Sequence, residues 1–228
     1  QAGRSTGMSL ANMEAVLELG WRTASKKGVP LNDDILAESF ELVRHGEKKD
    51  WGRDYLERVA RHEAGHAYLC HAAGKTPAYL TIVARGDHGG YMEYSAEERS
   101  PLQTRDQLLG RMRIALGGRA AEIIYYGAQN GLSSGASGDL QQATSIARAM
   151  ICSYGMDNVF GLAVLSQEEA TKGPLAEKII QRIAAIIKEE MAATIEALTK
   201  ARPRLDALVE RLLEKNKLDS AEIKELLS

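Results

Sequence analysis

His62-Glu63-Ala64-Gly65-His66 is the most informative stretch of this 228-residue chain, and it lies at the centre of a predicted helix. An α-helix turns once every 3.6 residues, so the two histidines lie one turn apart on the same face. Two neutral imidazoles in this arrangement can share one metal ion, and the carboxylate of Glu63 projects beside them, where it can take a proton from water. The stretch therefore predicts a metal site with a hydrolytic base, as in a peptidase.

The residues on either side of this stretch favour a partly buried helix over a chance match. A pattern with two free positions occurs by chance in long helices, where it usually belongs to a solvated, charged face. Here Arg58 and Arg61 interrupt an apolar stripe at helical spacing, which indicates an amphipathic helix. The stripe comprises Tyr55, Leu56, Val59, Ala60, Ala67, Tyr68, Leu69 and Ala72. Gly65 costs a helix about 1 kcal/mol relative to alanine, so we expect a neighbouring backbone or a substrate to approach it closely.

Composition and charge describe an ordinary globular domain. Apolar residues make up 44% of the chain and charged residues 26%, and the net charge of −2 gives no argument for nucleic acid or anionic lipid as a partner. Two cysteines, Cys70 and Cys152, do not make a disulfide framework, which favours a reducing compartment such as the cytoplasm. The sequence has no signal-peptide pattern and no run of about 18 apolar residues, so we expect a soluble domain. Because the chain opens on Gln1, it is interpreted as a piece of a longer protein.

The apolar periodicity predicts a mainly α-helical fold with a small β-sheet or hairpin. Asn32 is expected to cap an early helix. Ser100-Pro101, with Gln103 three residues after the serine, is expected to open a long helix, and Asp219 with Glu222 to cap the last one.

Residues 80–94 carry the hairpin signal. Leu80-Thr81-Ile82-Val83 is rich in β-branched residues, a glycine-rich turn follows, and Tyr91-Met92-Glu93-Tyr94 alternates. An extended peptide could pair with the edge of such a sheet through its main chain, although a purely structural hairpin fits the pattern equally well. If a peptide lies along this hairpin, the residues expected to contact it are Ile82, His88 and Tyr91.

Catalytic zinc normally has three protein ligands, so the histidine pair needs a third group. Cys70 continues the i, i+4 series, but it lies about 12 Å from His62 along the helix, beyond the reach of a thiolate, and is interpreted as core. Asp139 follows a glycine- and serine-rich loop and ranks only modestly above Glu122 and the pair Glu97-Glu98. Asp139 also suits the first turn of a helix, where a negative charge stabilises the helix dipole by about 0.3–1 kcal/mol.

Several further stretches occur in a fixed order along the chain. They are Val59-Ala60-Arg61-His62-Glu63-Ala64-Gly65-His66-Ala67, Leu116-Gly117-Gly118-Arg119-Ala120-Ala121-Glu122, Gly135-Ala136-Ser137-Gly138-Asp139-Leu140, Ala147-Arg148-Ala149-Met150, Tyr154-Gly155-Met156 and Leu212-Leu213-Glu214-Lys215. Together they resemble the FtsH family of ATP-dependent zinc metalloproteases over roughly residues 55–228. A single His-Glu-x-x-His pattern is weak, whereas the ordered set is highly specific.

The resemblance implies a set of site residues. His62, His66 and Asp139 would bind one zinc ion, and Glu63 would be the catalytic base. Glu122 would orient a ligand histidine, although an ordinary helix carboxylate is the equally weighted alternative.

The resemblance also implies a domain organisation. Residues 1–46 form a helical segment similar to the lid of an AAA ATPase, with the likeness carried by Thr6-Gly7-Met8-Ser9-Leu10-Ala11-Asn12. Residues 47–54 are expected to be a linker, and residues 55–228 the zinc metallopeptidase domain. The chain has no G-x-x-x-x-G-K-[ST] phosphate loop, so ATP would act only through an ATPase core outside these residues. Departures from the family pattern occur at Ser9, Ala84 and Gly138, none of which is a predicted ligand.

These patterns predict a zinc endopeptidase that hydrolyses unfolded or misfolded polypeptides. The resemblance implies a homohexamer that receives its substrate from an AAA ATPase module and is tethered to the inner face of a membrane through an anchor outside this chain. Two alternatives stay open. One is a stand-alone peptidase without a working ATPase motor, and the other is a non-catalytic assembly module in which zinc is structural. Glu63 argues against the second alternative, because a structural metal site needs no base.

Overall fold

Most of the described chain is helical, and its three short strands form one small sheet. The computed structural model describes residues 8–75, 77–85, 89–94 and 102–228. In chain order the elements are α1 (Leu10–Lys27), α2 (Asp33–His45), α3 (Arg53–Ala72), β1 (Pro77–Thr81), β2 (Tyr91–Tyr94), α4 (Arg105–Tyr126), a 3-10 turn (Ser134–Ala136), α5 (Ser137–Cys152), α6 (Gln167–Thr171), α7 (Pro174–Lys200), α8 (Arg202–Lys215), β3 (Lys217–Asp219) and α9 (Ser220–Leu227). This architecture confirms the predicted mainly α-helical fold with a small sheet.

Helix α4 lies at the centre of the fold because it is buried on two sides. One side contributes Ile114 and Ala121 to a core that α3, α8, α9 and the sheet complete. The other side contributes Met112 and Leu116 to a second core, formed with α5, α6 and α7. A helix with buried apolar residues on two sides is most stable in such a position, between two layers. Helix α4 therefore fixes the distance between α3 on one side and α5 on the other.

The helix ends follow side-chain capping, with one correction to the prediction. Asn32 accepts a hydrogen bond from the N–H of Ile35, and Asp219 and Glu222 form a capping box, as predicted. Ser100 and Pro101, where α4 was predicted to begin, lie outside the described residues; residues 102–104 are not helical, and the helix begins at Arg105. Its capping box is formed by Thr104 and Gln107, a second copy of the same sequence pattern that directly follows the first.

The predicted hairpin is present, and it belongs to a larger sheet. Strand β1 lies in the middle and pairs antiparallel with β2 and with β3, so that Leu80 faces Met92 on one side and Leu218 on the other. Strand β3 was not predicted, since three residues are too few to show an alternating pattern. Within the described chain, β2 is therefore an edge strand, with one side available for pairing.

Helices α1 and α2 pack against each other as an N-terminal helical pair, joined by a short turn after Gly28. Helix α3 begins at Arg53, inside the predicted linker of residues 47–54. The remaining domain boundaries stay predictions. Among the residues that the structure describes, no helix is both long enough and apolar enough to cross a membrane.

Candidate metal centre and cleft

Three side chains from two helices converge on one point. Helix α3 carries His62 and His66, whose Nε2 atoms lie 3.1 Å apart. Asp139, in the first turn of α5, places its Oδ2 atom 3.1 Å from Nε2 of His62 and 3.4 Å from Nε2 of His66. The structure thus brings together the two histidines and a carboxylate that follows His62 by 77 positions in the sequence.

The spacing of these three atoms fits a tetrahedral metal ion. Ligand atoms bound to zinc at about 2.0–2.1 Å in tetrahedral geometry lie about 3.3 Å from one another. The observed separations of 3.1, 3.1 and 3.4 Å are close to that value. Two imidazoles and one carboxylate are also a donor set that suits zinc, and three protein ligands leave a fourth position open.

Acceptors on α4 orient both imidazoles through their Nδ1 atoms, on the side of each ring away from Asp139. Nδ1 of His66 donates to the carbonyl oxygen of Ile114 at 2.7 Å, which leaves Nε2 as the free ligand atom. Nδ1 of His62 lies 3.5 Å from Oε1 of Glu122, whose side chain is only 1% exposed. Such partners select the tautomer of a ligand histidine and hold its ring in place.

Glu122 also ties down the loop that leads to Asp139. Its carboxylate accepts hydrogen bonds from the hydroxyl of Ser133 at 2.5 Å, the N–H of Ser133 at 3.2 Å and Nη1 of Arg119 at 2.9 Å. Nη2 of Arg119 in turn donates to the carbonyl oxygen of Ser133 at 2.7 Å. Because α5 starts only a few residues later, this network positions Asp139 opposite the histidines.

The charges around the three ligands favour a cation at this point. Burial lowers the pKa of His62, but hydrogen bonds to Asp139 and Glu122, together with the charge of Glu63, outweigh burial and raise this pKa to about 10. Burial likewise opposes ionisation of Asp139, yet His62 and His66 hold the pKa of its carboxyl well below the usual range. The pKa of Glu122 falls to about 2 despite its burial, because His62 and Ser133 hydrogen-bond to the carboxylate. The cluster is therefore built to balance positive charge.

Two adjacent glycines in α4, Gly117 and Gly118, make room for α3 and its histidines. A Cβ atom on Gly65 would lie 2.3 Å from the carbonyl oxygen of Gly117, so α3 and α4 touch backbone to backbone at this crossing. This contact confirms the close approach expected at Gly65. A Cβ atom on Gly118 would lie 2.2 Å from Nε2 of His62, so Gly118 leaves the space that this imidazole occupies. No role was predicted for Gly118. Two consecutive glycines nevertheless destabilise a helix enough to indicate a close contact at that position.

Glu63 lies between two adjoining cavities that form a cleft across the histidine pair. It is 8% exposed. The larger cavity, of about 500 Å³, runs between the N-terminal half of α3 and the loop before α5. The smaller one, of about 330 Å³, is bounded by Gly90, Tyr91 and Met92 at the start of β2 and by Asp139. Glu63 and both histidine-bearing turns thus face a space in which a substrate can lie against an edge strand.

The residues predicted to contact a peptide differ in their placement. Tyr91 lines the smaller cavity, but its hydroxyl is directed to Glu41. Ile82 has no exposed surface, and its N–H donates to the carbonyl oxygen of Asn216 at 3.0 Å, so the prediction that Ile82 contacts a peptide is corrected: it is a core residue. His88 lies outside the described residues.

Fold and site together are typical of the metallopeptidase class, and one helix carries both the histidine pair and Glu63. Comparison with known proteins agrees with this class. The sequence pattern of peptidase family M41 matches residues 53–226, and the chain belongs to this family. The resemblance inferred from the ordered motifs is thereby confirmed.

Curated relatives carry closely similar names. The chain is 33% identical over 239 residues to ATP-dependent zinc metalloprotease FtsH 3 of Sphaerobacter thermophilus, across 99% of this chain and 47% of the relative. It is 37% identical over 202 residues to FtsH 2 of Symbiobacterium thermophilum, across 84% of this chain and 32% of the relative. With FtsH of Chloroflexus aggregans the identity is 35% over 185 residues, across 74% and 28%. The chain spans about half of these relatives or less.

Proposed function

We propose that this chain is the proteolytic part of an FtsH-type protease and hydrolyses peptide bonds with zinc bound by His62, His66 and Asp139. The observation that carries this proposal is the convergence of these three ligand atoms, within 4.8 Å of one another, beside a carboxylate that faces a cleft. A structural zinc site would be closed by a fourth protein ligand and would need neither a base nor a cleft. The non-catalytic assembly module is therefore disfavoured.

Each residue has a defined task in hydrolysis. When bound, zinc lowers the pKa of a coordinated water to about 7 and polarises a carbonyl group. Glu63 takes the proton of the attacking water and passes it to the leaving amine. Ile114 and Glu122 keep the two imidazoles oriented, so that the ligand atoms do not have to reorganise during the reaction.

The cleft favours an extended peptide as the substrate. Strand β2 offers its outer edge beside the histidine pair, and an extended chain can add to such an edge through main-chain hydrogen bonds. Recognition of this kind uses hydrogen bonds to the main chain of the substrate, and only an unfolded segment has these main-chain groups free. We therefore propose unfolded or misfolded polypeptides as substrates, with side-chain preference set by the two cavities.

The remainder of the full-length protein is proposed from its relatives. They are named ATP-dependent, and the matched region covers only 47%, 32% and 28% of their lengths, which supports an AAA ATPase module joined to residues 1–46. A homohexameric ring that receives threaded polypeptide, on the cytoplasmic face of a membrane, is part of the same proposal. ATP stimulation of cleavage by the full-length protein would separate this arrangement from a stand-alone peptidase.

Glu63→Gln tests the proposal directly. The variant keeps the size of the side chain but removes the base, so we expect cleavage of a labelled unfolded polypeptide to fall by about 10²–10⁴-fold at unchanged zinc content. Glu57→Gln is the matched control, because Glu57 lies on the same helix and pairs with Arg61 on the surface. A zinc-loaded parent chain without activity, or a Glu63→Gln variant as active as the Glu57→Gln control, would contradict the proposal.

A further inference from the structure

We propose that helix α2 is a positioning element of the peptidase: Glu41 holds Tyr91, and through it the edge strand β2, at the wall of the cleft. This inference rests on the proposed function, in which a peptide pairs with β2. It gives the N-terminal helical pair (residues 9–46) a role in substrate binding, beyond its likeness to a lid.

The main contact is a partly buried hydrogen bond between α2 and the first residue of β2. The hydroxyl of Tyr91 lies 3.0 Å from each carboxylate oxygen of Glu41, and Glu41 is 8% exposed. The ring of Tyr91 stacks on His45 of the same helix, with 4.2 Å between centroids and 25° between planes. Hydrogen bonds to a charged group are among the stronger ones, and burial strengthens them further. One residue of the cleft wall is thus held by two side chains from outside the cleft.

Arg85, in the segment that connects β1 to β2, also contacts α2. Its side chain is 3% exposed, and its Nη2 atom donates to Glu38 at 2.8 Å. Its Nη1 atom donates to the carbonyl oxygen of Gly46 at 3.1 Å, and its Nε atom lies 3.7 Å from Glu41. Arg85 therefore supplies positive charge to the carboxylate that Tyr91 contacts, and it links the segment after β1 to the end of α2.

A third contact lies further along the edge strand. Nη1 of Arg44 donates to Oε1 of Glu93 at 2.7 Å, with both side chains partly exposed. Contacts from α2 thus reach the first and the third residue of a strand that has only four. Their spacing matches the strand, since alternate residues of a β-strand share one face.

The edge strand needs such support. A strand of four residues paired on one side is marginal by itself, and the pairing with β1 is irregular between Pro77 and Tyr79. Contacts from α2 reduce the freedom that β2 would otherwise lose on binding a peptide, and preorganisation of this kind improves affinity. Loss of the Glu41–Tyr91 contact should therefore weaken peptide binding, while the histidine pair and Glu63 on α3 stay in place.

Tyr91→Phe and Glu41→Ala test this inference. For both variants we expect KM for an unfolded peptide to rise by about three- to tenfold with kcat within twofold, as for a hydrogen bond of ordinary strength that supports binding but not chemistry. Amide hydrogen exchange in β2 should quicken by a similar factor, and exchange in α3 should not change. The matched controls are Tyr154→Phe and Glu18→Ala, both at exposed positions, which should match the parent.

The outcomes separate this inference from the proposed function. An inactive zinc-loaded parent would count against the proposed function, and the exchange measurement would still test the link between α2 and β2. The double variant Tyr91→Phe/Glu41→Ala should be no worse than Glu41→Ala alone, because both changes remove the same contact. If the variants lower only the melting temperature, with KM and β2 exchange equal to the parent, α2 does not position β2 and the inference is overturned.

Discussion

At the residue scale, the position of the His62 imidazole depends on Gly118 having no side chain. The ring of His62 occupies the space next to Gly118 that the Cβ atom of any other residue would need. The neighbouring Gly117 serves a different purpose, because it allows the backbones of α3 and α4 to touch at Gly65. Two consecutive glycines thus meet separate demands, one for a helix crossing and one for a ligand.

Gly118→Ala should damage the metal site more than the fold. The new methyl group would lie 2.2 Å from Nε2 of His62, so the imidazole must leave the position in which it meets Asp139. We expect zinc affinity, measured by competition with a chelator, to fall by about 10–100-fold, the effect typical of losing ligand orientation. Gly110→Ala is the matched control on the same helix, since nothing lies within 4 Å of its added Cβ atom. It should keep zinc affinity and gain up to about 1 kcal/mol of stability, and equal zinc affinity in the two variants would refute the steric argument.

The predicted site residues differ in how local their sequence signal is. His62, Glu63 and His66 follow from helical periodicity alone, because all three lie within two turns. Asp139 could not be derived from spacing, since 77 positions separate it from His62 and nothing in the local pattern distinguishes a ligand from a helix-dipole acid. Only the resemblance to a family singled it out. The burial of Ile82 was missed because period-2 alternation shows two faces but not which one is covered.

At the scale of elements, the long helices were predictable and the shortest pieces were not. Isoleucines at helical spacing after Pro174 predict helix α7. Strand β3 has three residues and pairs with β1 across more than 130 positions, so no local pattern could reveal it. Helix α4 was predicted to begin too early because two capping patterns follow each other directly, and the sequence alone does not show which of them the tertiary structure uses.

A partly buried ion pair joins α7 to the turn after α5, and its effect on stability can be predicted. Asp157 is 3% exposed, and its Oδ2 atom accepts a hydrogen bond from Nε of Arg182 at 2.8 Å. Its Oδ1 atom accepts from the N–H groups of Val159 and Phe160 at 3.0 and 3.2 Å. Burial opposes ionisation, but these partners hold the pKa of Asp157 below its ordinary value of 3.8. We expect Asp157→Asn to lower the free energy of unfolding at pH 7 by about 1–3 kcal/mol.

The sign of the pH dependence follows from the lowered pKa of Asp157. Its contribution to stability is fully present above the unfolded-state pKa and is lost as the pH falls through the folded-state pKa. The difference between parent and Asp157→Asn in urea denaturation should therefore be constant from pH 8 to 5 and narrow below about pH 4. Asp50→Asn, at an exposed position, is the control and should stay within about 0.5 kcal/mol of the parent. A difference that widens in acid would contradict the assignment.

At the scale of the whole molecule, the described chain combines a helical pair with a peptidase fold whose two cores share α4. The C-terminal elements complete both the sheet and one core: β3 pairs with β1, and α9 packs into the core beside α3. The sequence predicted the fold class and the family, since both depend on many residues at once. Contacts between α2 and the hairpin lay beyond prediction, because each is a single side-chain pair between distant segments.

Zinc content and zinc affinity, measured on the same proteins, test most directly whether His62, His66 and Asp139 bind one zinc ion together. Elemental analysis of the purified parent should find about one zinc per chain. Asp139→Ala should lower zinc affinity by more than the roughly 10–100-fold that loss of an orienting partner causes, since it removes a ligand itself. Asp106→Ala is the matched control, because Asp106 is also an acid in the first helical turn, and it should leave zinc binding unchanged. A parent without stoichiometric zinc, or an Asp139→Ala variant that binds zinc as tightly as Asp106→Ala, would contradict the claim.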